Sequence, residues 1–517
     1  MARIAVIGAG MGAMAAAARL AVAGHRVAVH ERAGGYGGAV GRFERGGFAF
    51  DTGPGLLHLP AVYRDLFVKT GKEPLERCVE LTQVDPASRH VFADGTELSL
   101  PNASRAGVVE ALDAALGAGA GERWSELIQR AREVWDATRR PLLEEPLPAD
   151  PAALRLDPYP APRKRGWLGR GKRPGSLAEV AALELRDPRL VALLESYALA
   201  YGFHPGSAPP SATVLPYLEQ TFGSWYASGG MRALADALYE RCLARKVTFS
   251  FGSEVVGIVE KDGRAAGVEL SDGTVVEADS VVAGIDPWHL KALLGGGAAA
   301  RPTSPARAAA SVTPTAVTPT AVTPVPLGRL VVCLALRGAR PEGTAHRTVI
   351  HAADGKAESA ALSRGELCER PTVTVLRPDD ADLVPDAAHE AITLTVTVPA
   401  HGPVEWRAPG QADGYADRVL AAAGAAVPGL RERVLWREVR TPADTEAATG
   451  ATGGAVPGPS LAGADGRLLH PSNVGRLPGL YPVGGWSHPG GGLAHAGMSG
   501  AMVAGLIVSG DDWRGSQ

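Results

Sequence analysis

The residues whose types and spacing could do chemistry gather at the two ends of the chain. Near the N-terminus, Gly8, Gly10, Met11, Gly12 and Ala13 come directly after the apolar run Ile4 to Ile7. Gly8 permits a tight turn, Gly10 lets backbone amides approach a pyrophosphate, and Ala13 is small enough for a helix to pack on a strand. Glu31 then stands where a carboxylate can accept hydrogen bonds from a ribose hydroxyl. Near the C-terminus, "VGGWSHPGGGLAHAGMSG", Val483 to Gly500, sits inside a charge-free run from Leu477 to Gly510. Such a run could be a membrane span, a buried glycine-rich turn and helix, or part of a cofactor site. Pro489, Gly490, Gly491, Gly492, His488 and His495 interrupt it, which argues against a span of about 20 apolar residues. No Ser-His-Asp set or metal cluster has a recognisable local signature. The four cysteines, Cys78, Cys242, Cys333 and Cys368, make no paired spacing.

The elements that must position these residues can be read around them. Ile4 to Ile7 predicts a strand, the Ala-rich run up to Gly24 a helix, and Arg26 to His30 a second strand, which together make a βαβ unit. The helix N-terminus faces the negative phosphates of a dinucleotide. A chain of 517 residues has room for two to four packed units. Its net charge of -3 gives no reason to expect a nucleic-acid partner. The first eight residues read as strand and turn, so no secretory signal is expected, and a reducing cytoplasm is the expected setting.

The segment beyond Glu31 decides which dinucleotide. "ERAGGYGGAVGRFERGGFAFDTGPGLL" adds a second glycine pair, Gly37 and Gly38, and then Phe48, Phe50, Asp51, Gly53, Pro54 and Gly55. An NAD site has no need of this second loop, whereas an extended FAD needs backbone close to its pyrophosphate and ring. The segment resembles the acid and glycine-pair motif of the flavoprotein amine oxidase and phytoene desaturase superfamily, with its "GF-x-FD-x-GP" element. "WYASGGMRALADALYERCLARKVTFSFGSEVVGIVEKDGRAAGVELSDGTVVEADSVVAGIDP", Trp225 to Pro287, and "LYPVGGWSHPGGGLAHAGMSGAMVAG" sharpen the resemblance to its carotenoid desaturase and isomerase branch.

That resemblance implies an α/β fold: an FAD-binding Rossmann-like domain of the glutathione reductase type (GR2), with a discontinuous sheet-based substrate domain and a helical cap. It implies FAD-binding pieces at 1–70, 228–290 and 465–517, a substrate domain from 71–104 and 291–464, and a cap at 105–227. Gly8, Gly10, Met11, Gly12, Ala13, Glu31, Gly37, Gly38, Gly53, Pro54 and Gly55 would hold the cofactor. Val255 would pair its backbone with adenine, and Gly484, Gly485, Gly492 and Leu493 would approach the flavin, with Met498 to Ile507 a packed helix. The family's usual Arg after the second glycine pair is Ala39 here, so Arg42 or Arg32 is the expected phosphate contact. Trp225, Tyr226 and His488 are the candidates for catalysis near the ring, with His58 a further face residue. His488 could shuttle a proton or only pack on the flavin.

The helix-like "ERWSELIQRAREVWDATRR" puts Trp124, Leu127, Ile128, Ala131 and Trp135 on one face, as core or cap packing. "ARAAASVTPTAVTPTAVTPVP", 306–326, reads as an extended surface linker. "RKRGWLGRGKR", Arg163 to Arg173, carries six basic residues around Trp167 and is a candidate docking loop for an anionic membrane surface. The expected activity is FAD-dependent desaturation of an apolar polyisoprenoid, with hydride passing to flavin N5 and oxygen or a quinone reoxidising the flavin. Redox-neutral polyene isomerisation, oxidation of an amine or specialised metabolite, and flavin-free binding of prenylated proteins on the same scaffold are the alternatives. The complete glycine set argues against the last.

Overall fold

The apolar run after Ala2 forms a strand, Arg3–Ile7, paired in parallel with Arg26–Glu31 on one side and Ser280–Ala283 on the other. Thr248–Phe251 continues the sheet beyond Arg26–Glu31, and Leu480–Pro482 continues it beyond Ser280–Ala283, both again parallel. One sheet is thus assembled from three distant stretches of chain. The structure, a computed structural model, describes residues 1–160, 173–295, 325–510 and 513–515. The basic stretch Arg163 to Arg173, apart from Arg173, and the TPTAV stretch, apart from Val325 and Pro326, lie outside the described residues.

Both faces of this sheet are covered, which is why its first strand reads as unbroken apolar sequence rather than alternation. Ile4 and Val6 pack on one side with the helices Met11–Val22 and Arg232–Ala244 and with Val503 and Ala504 of the C-terminal helix Leu493–Ser509. Ala5 and Ile7 pack on the other side against Ala265 and Val268 of a three-stranded antiparallel sheet, Val255–Lys261, Arg264–Leu270 and Val275–Glu277. The Ala-rich composition of the first helix has a direct cause. A Cβ on Gly500 would stand 2.6 Å from the Gly12 carbonyl oxygen and 2.7 Å from the Ala15 Cβ, so the first and last helices cross backbone to backbone.

A second sheet has seven strands, in the order Val434–Arg440, Leu327–Arg337, His389–Pro399, Val373–Leu376, Arg347–Ile350, Ser88–Val91 and Glu97–Leu100. One face is apolar: Leu330, Val332, Leu334, Ile392, Leu394 and Val396 pack on Tyr415, Ala416 and Val419 of the helix Gln411–Ala423. The register puts Arg347, Leu376, Thr393 and Cys333 in one row on the opposite face. Above it stand cap helices including Ala120–Arg139, Pro188–Ala200 and Val214–Phe222, whose core takes in Trp124, Leu127, Ile128, Ala131 and Trp135. The fold is α/β, as the motifs imply.

Among the described residues no helix is long and apolar enough to cross a membrane. The charge-free run forms a short strand, a glycine loop and a helix instead. That helix begins at Leu493, five residues before the Met498 start expected from sequence, because only the loop up to Gly492 holds the chain out of helical geometry.

Candidate cofactor and substrate site

The first glycine loop leaves the sheet at Ile7. Gly8 donates its N–H to the His30 carbonyl at 2.8 Å. Gly10 opens the Met11–Val22 helix with no side-chain cap, and a Cβ there would meet nothing within 4 Å. The first amides of this helix therefore face open space with no side-chain partner, the arrangement a pyrophosphate fits. The second glycine pair lies directly on the first loop. The Gly37 N–H donates to Ala9 O at 2.8 Å, and a Cβ on Gly38 would stand 3.1 Å from Gly10 Cα. Ala13 is buried against Gly284 at the next strand end, where a Cβ would come within 3.0 Å of it.

Glu31 ends the second strand with both carboxylate oxygens on backbone: Oε2 accepts from Ala9 N and Oε1 from Ala33 N, each at 2.8 Å. Each oxygen keeps a further lone pair for a ribose hydroxyl. Its own carbonyl accepts from Ser253 N at 2.8 Å, which sets Val255 two residues beyond the same strand end.

The two arginines expected at the phosphate have other partners here. Arg42 donates to Gly229 O at 2.8 Å and pairs with Glu44 at 2.6 Å, while Arg32 donates to Ala447 O at 2.9 Å. The guanidinium nearest the second glycine loop belongs to Arg232. It donates to Tyr36 O at 2.8 Å and lies 4.3 Å over the Tyr36 ring.

Gly53, Pro54 and Gly55 run between Ala39 and the large sheet. A Cβ on Gly53 would overlap the Ala39 carbonyl oxygen at 2.0 Å, and one on Gly55 would stand 2.4 Å from Leu376 Cδ1 of the large sheet. Just beyond, Leu57 exchanges backbone hydrogen bonds with Trp225, 2.8 and 3.0 Å. Asp51 holds the Gly229–Gly230 turn by accepting from Met231 N at 2.7 Å, and burial pushes its carboxyl up to about 6.

The C-terminal loop closes the site. Gly484 donates to Ser499 Oγ at 2.9 Å, and Asn473 Nδ2 spans Ser499 Oγ, Pro482 O and His488 O at 3.1, 3.1 and 2.9 Å. Gly485 and Gly491 press on Pro457, where a Cβ on Gly491 would come within 1.8 Å of its carbonyl oxygen. Gly492, at φ +106°, turns the chain into the final helix in a conformation that favours glycine, and no side chain caps that helix either. Leu493 O accepts from the Tyr63 hydroxyl at 2.9 Å. Two uncapped helix N-termini and glycine-floored loops thus converge, and the residues fit an extended flavin dinucleotide.

The candidate catalytic side chains are not brought together. The Tyr226 hydroxyl donates to Asp380 Oδ2 at 2.7 Å, and its ring lies 4.7 Å from His346. Trp225 donates from Nε1 to Phe222 O at 3.0 Å and packs under Arg64. His488 is buried with Nε2 on Glu145 O at 3.0 Å, and burial lowers its imidazole to about 4. His58 approaches Gly223 O and lies 3.7 Å from the Glu219 carboxylate.

Sequence reasoning did not find two further features. Glu219 of the cap forms a bidentate ion pair with Arg347 of the large sheet, 128 residues away, with Arg347 Nη1 to Glu219 Oε2 at 2.9 Å. No local motif marks it. Beside the C-terminal loop, a small cavity of about 30 Å³ is lined by Val134, Trp135, Leu142, Leu215, Leu461 and His495, among others. His495 does lie inside the C-terminal glycine motif, three residues after Gly492, which is the signal that could have singled it out.

This fold, with its paired glycine loops, defines an FAD-dependent oxidoreductase. The chain belongs to the flavin-containing amine oxidoreductase family, whose profile matches residues 14–370. Over nearly its whole length it is similar to hydroxyneurosporene desaturase of Rhodobacter capsulatus, 29% identical with 98% of this chain and 97% of that protein covered. It is similar to 4,4'-diapolycopene oxygenase of a Methylomonas species at 27% identity, 98% of each chain covered. The zeta-carotene-forming phytoene desaturase of Myxococcus xanthus is 28% identical, with 98% and 94% covered. Among solved structures, an oxidoreductase from Methanosarcina mazei shares the fold at a TM-score of 0.63 and 18% identity, covering 97% of this chain and 99% of that one. Wild-type putrescine oxidase with putrescine bound does so at 0.59 and 13%, covering 98% and 99%.

Proposed function

We propose that this protein desaturates an apolar polyisoprenoid of the carotenoid kind, using FAD as oxidant. The observation that carries the reading is the cavity beside the C-terminal glycine loop, whose walls are mainly aliphatic and aromatic. The full-length similarity to carotenoid desaturases supports the same substrate class. Bound FAD supplies a two-electron oxidant able to take hydride from an unactivated C–H bond. The chain's own work is positioning and exclusion of water. Val134, Trp135 and Leu142 from the cap, with Leu461 from the approach to the last strand, give the apolar lining that suits a hydrocarbon substrate. Gly484, where a Cβ would meet nothing within 4 Å, leaves room for a flat ring beside that lining.

Oxygen or a quinone would serve as the final electron acceptor for bound FAD, and the basic stretch Arg163 to Arg173 would bring the enzyme to membrane-dissolved substrate. Anaerobic mixing of the FAD-loaded protein with phytoene and other polyisoprenoids tests the activity. Flavin bleaching with a red-shifted polyene is the expected result. Isomerisation without bleaching, or silence with every polyisoprenoid, overturns it.

A further inference from the structure

The second glycine loop starts from a firm hold and then crosses open space. Ala33 N donates to Glu31 Oε1 at 2.8 Å, and Ala33 O accepts from Gly252 N at 3.0 Å. Gly34 and Gly35 follow, both exposed, and a Cβ on either would meet nothing within 4 Å. Two adjacent glycines in open space give a chain wide conformational freedom. Beyond the glycine pair, Ala39 stands where the family's usual Arg would be and offers no polar group.

The helix Arg232–Ala244 grips the loop between these points. It is itself set against the phosphate-facing helix, with Cys242 Sγ donating to Met14 O at 3.4 Å. Arg232, Asp236 and Tyr239, at i, i+4 and i+7, share one face. Arg232 donates from Nη1 to Tyr36 O at 2.8 Å and from Nε to Asp236 Oδ1 at 2.7 Å. Asp236 Oδ1 also accepts from the Tyr36 hydroxyl at 3.0 Å. Tyr239 stacks on the Tyr36 ring, with centroids 3.8 Å apart and planes 9° from parallel, and the Arg232 guanidinium lies over the same ring. Tyr36 is thus held at its carbonyl, its hydroxyl and its ring. The hold passes directly to Gly37, where a Cβ would stand 3.3 Å from Arg232 Nη1, and whose N–H reaches Ala9 O of the first glycine loop.

We infer that Arg232 is a positioning residue for FAD: with Asp236 and Tyr239 it latches Tyr36, so that both glycine loops stand in the binding geometry before the cofactor arrives. A site that is competent only part of the time binds with its affinity reduced by that fraction, and pre-ordering removes the loss. The latch concerns the cofactor alone and does not depend on which substrate is oxidised.

The test titrates the full-length apoprotein with FAD and follows association and dissociation by flavin fluorescence. Arg232→Met keeps an apolar stem and removes the donors. It raises the FAD Kd about tenfold, almost entirely through slower association, because the competent loop conformation becomes a minority state. Arg232→Lys, which keeps one donor for Tyr36 O, restores part of the rate. Tyr36→Leu reproduces the loss, and the double variant is no slower than either single one, since residues that act as one unit are not additive. Should Arg232→Met fail to fold, judged by the melting temperature of the apoprotein, Tyr36→Leu leaves the helix untouched and carries the same test. An unchanged Kd in the single variants overturns the inference, as do losses that add in the double variant. A loss carried by faster dissociation at unchanged association also overturns it, and would make Arg232 a direct ligand of the cofactor.

Discussion

Gly12 of the first helix and Gly484 of the C-terminal loop touch backbone to backbone: a Cβ on Gly12 would stand 2.7 Å from Gly484 Cα and 3.0 Å from Ala496 O. The phosphate-facing helix and the loop expected to face the flavin ring are thus located by the same contact. Gly12→Ala pushes them apart at an overpacking cost of about 1–3 kcal/mol. The expected outcome is a folded protein with much reduced flavin content, read from the ratio of visible to ultraviolet absorbance. Gly35→Ala is the control, because a Cβ there meets nothing within 4 Å. Equal flavin content in the two variants would refute the coupling.

Glu31 holds two backbone amides with its two carboxylate oxygens. Glu31→Gln removes the charge and turns one acceptor into a donor that faces a donor. Hydrogen bonds to charged groups contribute about 1.5–3 kcal/mol, so FAD affinity should fall roughly ten- to a hundredfold, measured by titrating apoprotein with FAD and following flavin fluorescence. Unchanged affinity would remove Glu31 from the site.

The buried Glu219–Arg347 pair joins the cap to the large sheet. Glu219→Leu leaves Arg347 buried and uncompensated, which should cost about 3–5 kcal/mol, and the double replacement Glu219→Leu with Arg347→Leu should recover most of it. Chemical denaturation of the three proteins checks this.

The same pair sets a pH dependence. Burial alone would raise the Glu219 carboxyl, but the Arg347 charge and its hydrogen bonds bring it below its ordinary 4.5. A folded pKa below the unfolded one stabilises the protein above the unfolded value, and that stability is lost as pH falls through the folded value. Melting temperature should therefore drop below about pH 4.5, and the drop should be smaller in Glu219→Gln. Identical acid profiles would contradict the assignment.

Tyr226 is a candidate for catalysis on sequence grounds, yet its hydroxyl is committed to Asp380, which also accepts from Gly229 N at 2.6 Å. Tyr226→Phe should lower stability by about 1 kcal/mol, a typical net hydrogen bond, and leave flavin reduction within a few-fold of the wild type. A hundredfold slower reduction at unchanged substrate binding would restore its catalytic role.

The cofactor loops were legible because flavin binding needs backbone at close range, and only glycine, in a fixed order with strand, helix and acid, provides that. Gly8, Gly10, Glu31, Gly37 and Gly38 could be read as one site for that reason. The partners of Arg42 and Arg32 could not, since a long charged side chain reaches any acceptor within its radius and sequence does not say which backbone carbonyl will be there. His488 and His495 illustrate the same limit. They lie in one motif seven positions apart, yet one is turned onto the carbonyl of Glu145 and the other onto a cavity.

By itself the sequence determined the α/β class, the dinucleotide-binding βαβ unit, the flavin family and the buried character of the C-terminal run, because each depends on local periodicity or on glycines at fixed spacing. Only the tertiary structure decided what the distant pieces do together. It joined Leu480–Pro482 to the first sheet, set Glu219 against Arg347, crossed the first and last helices at Gly12 and Gly500, and left His495 facing an apolar cavity. Those contacts come from packing between segments far apart in the chain, where the space a side chain fills and the partner it meets belong to the fold as a whole.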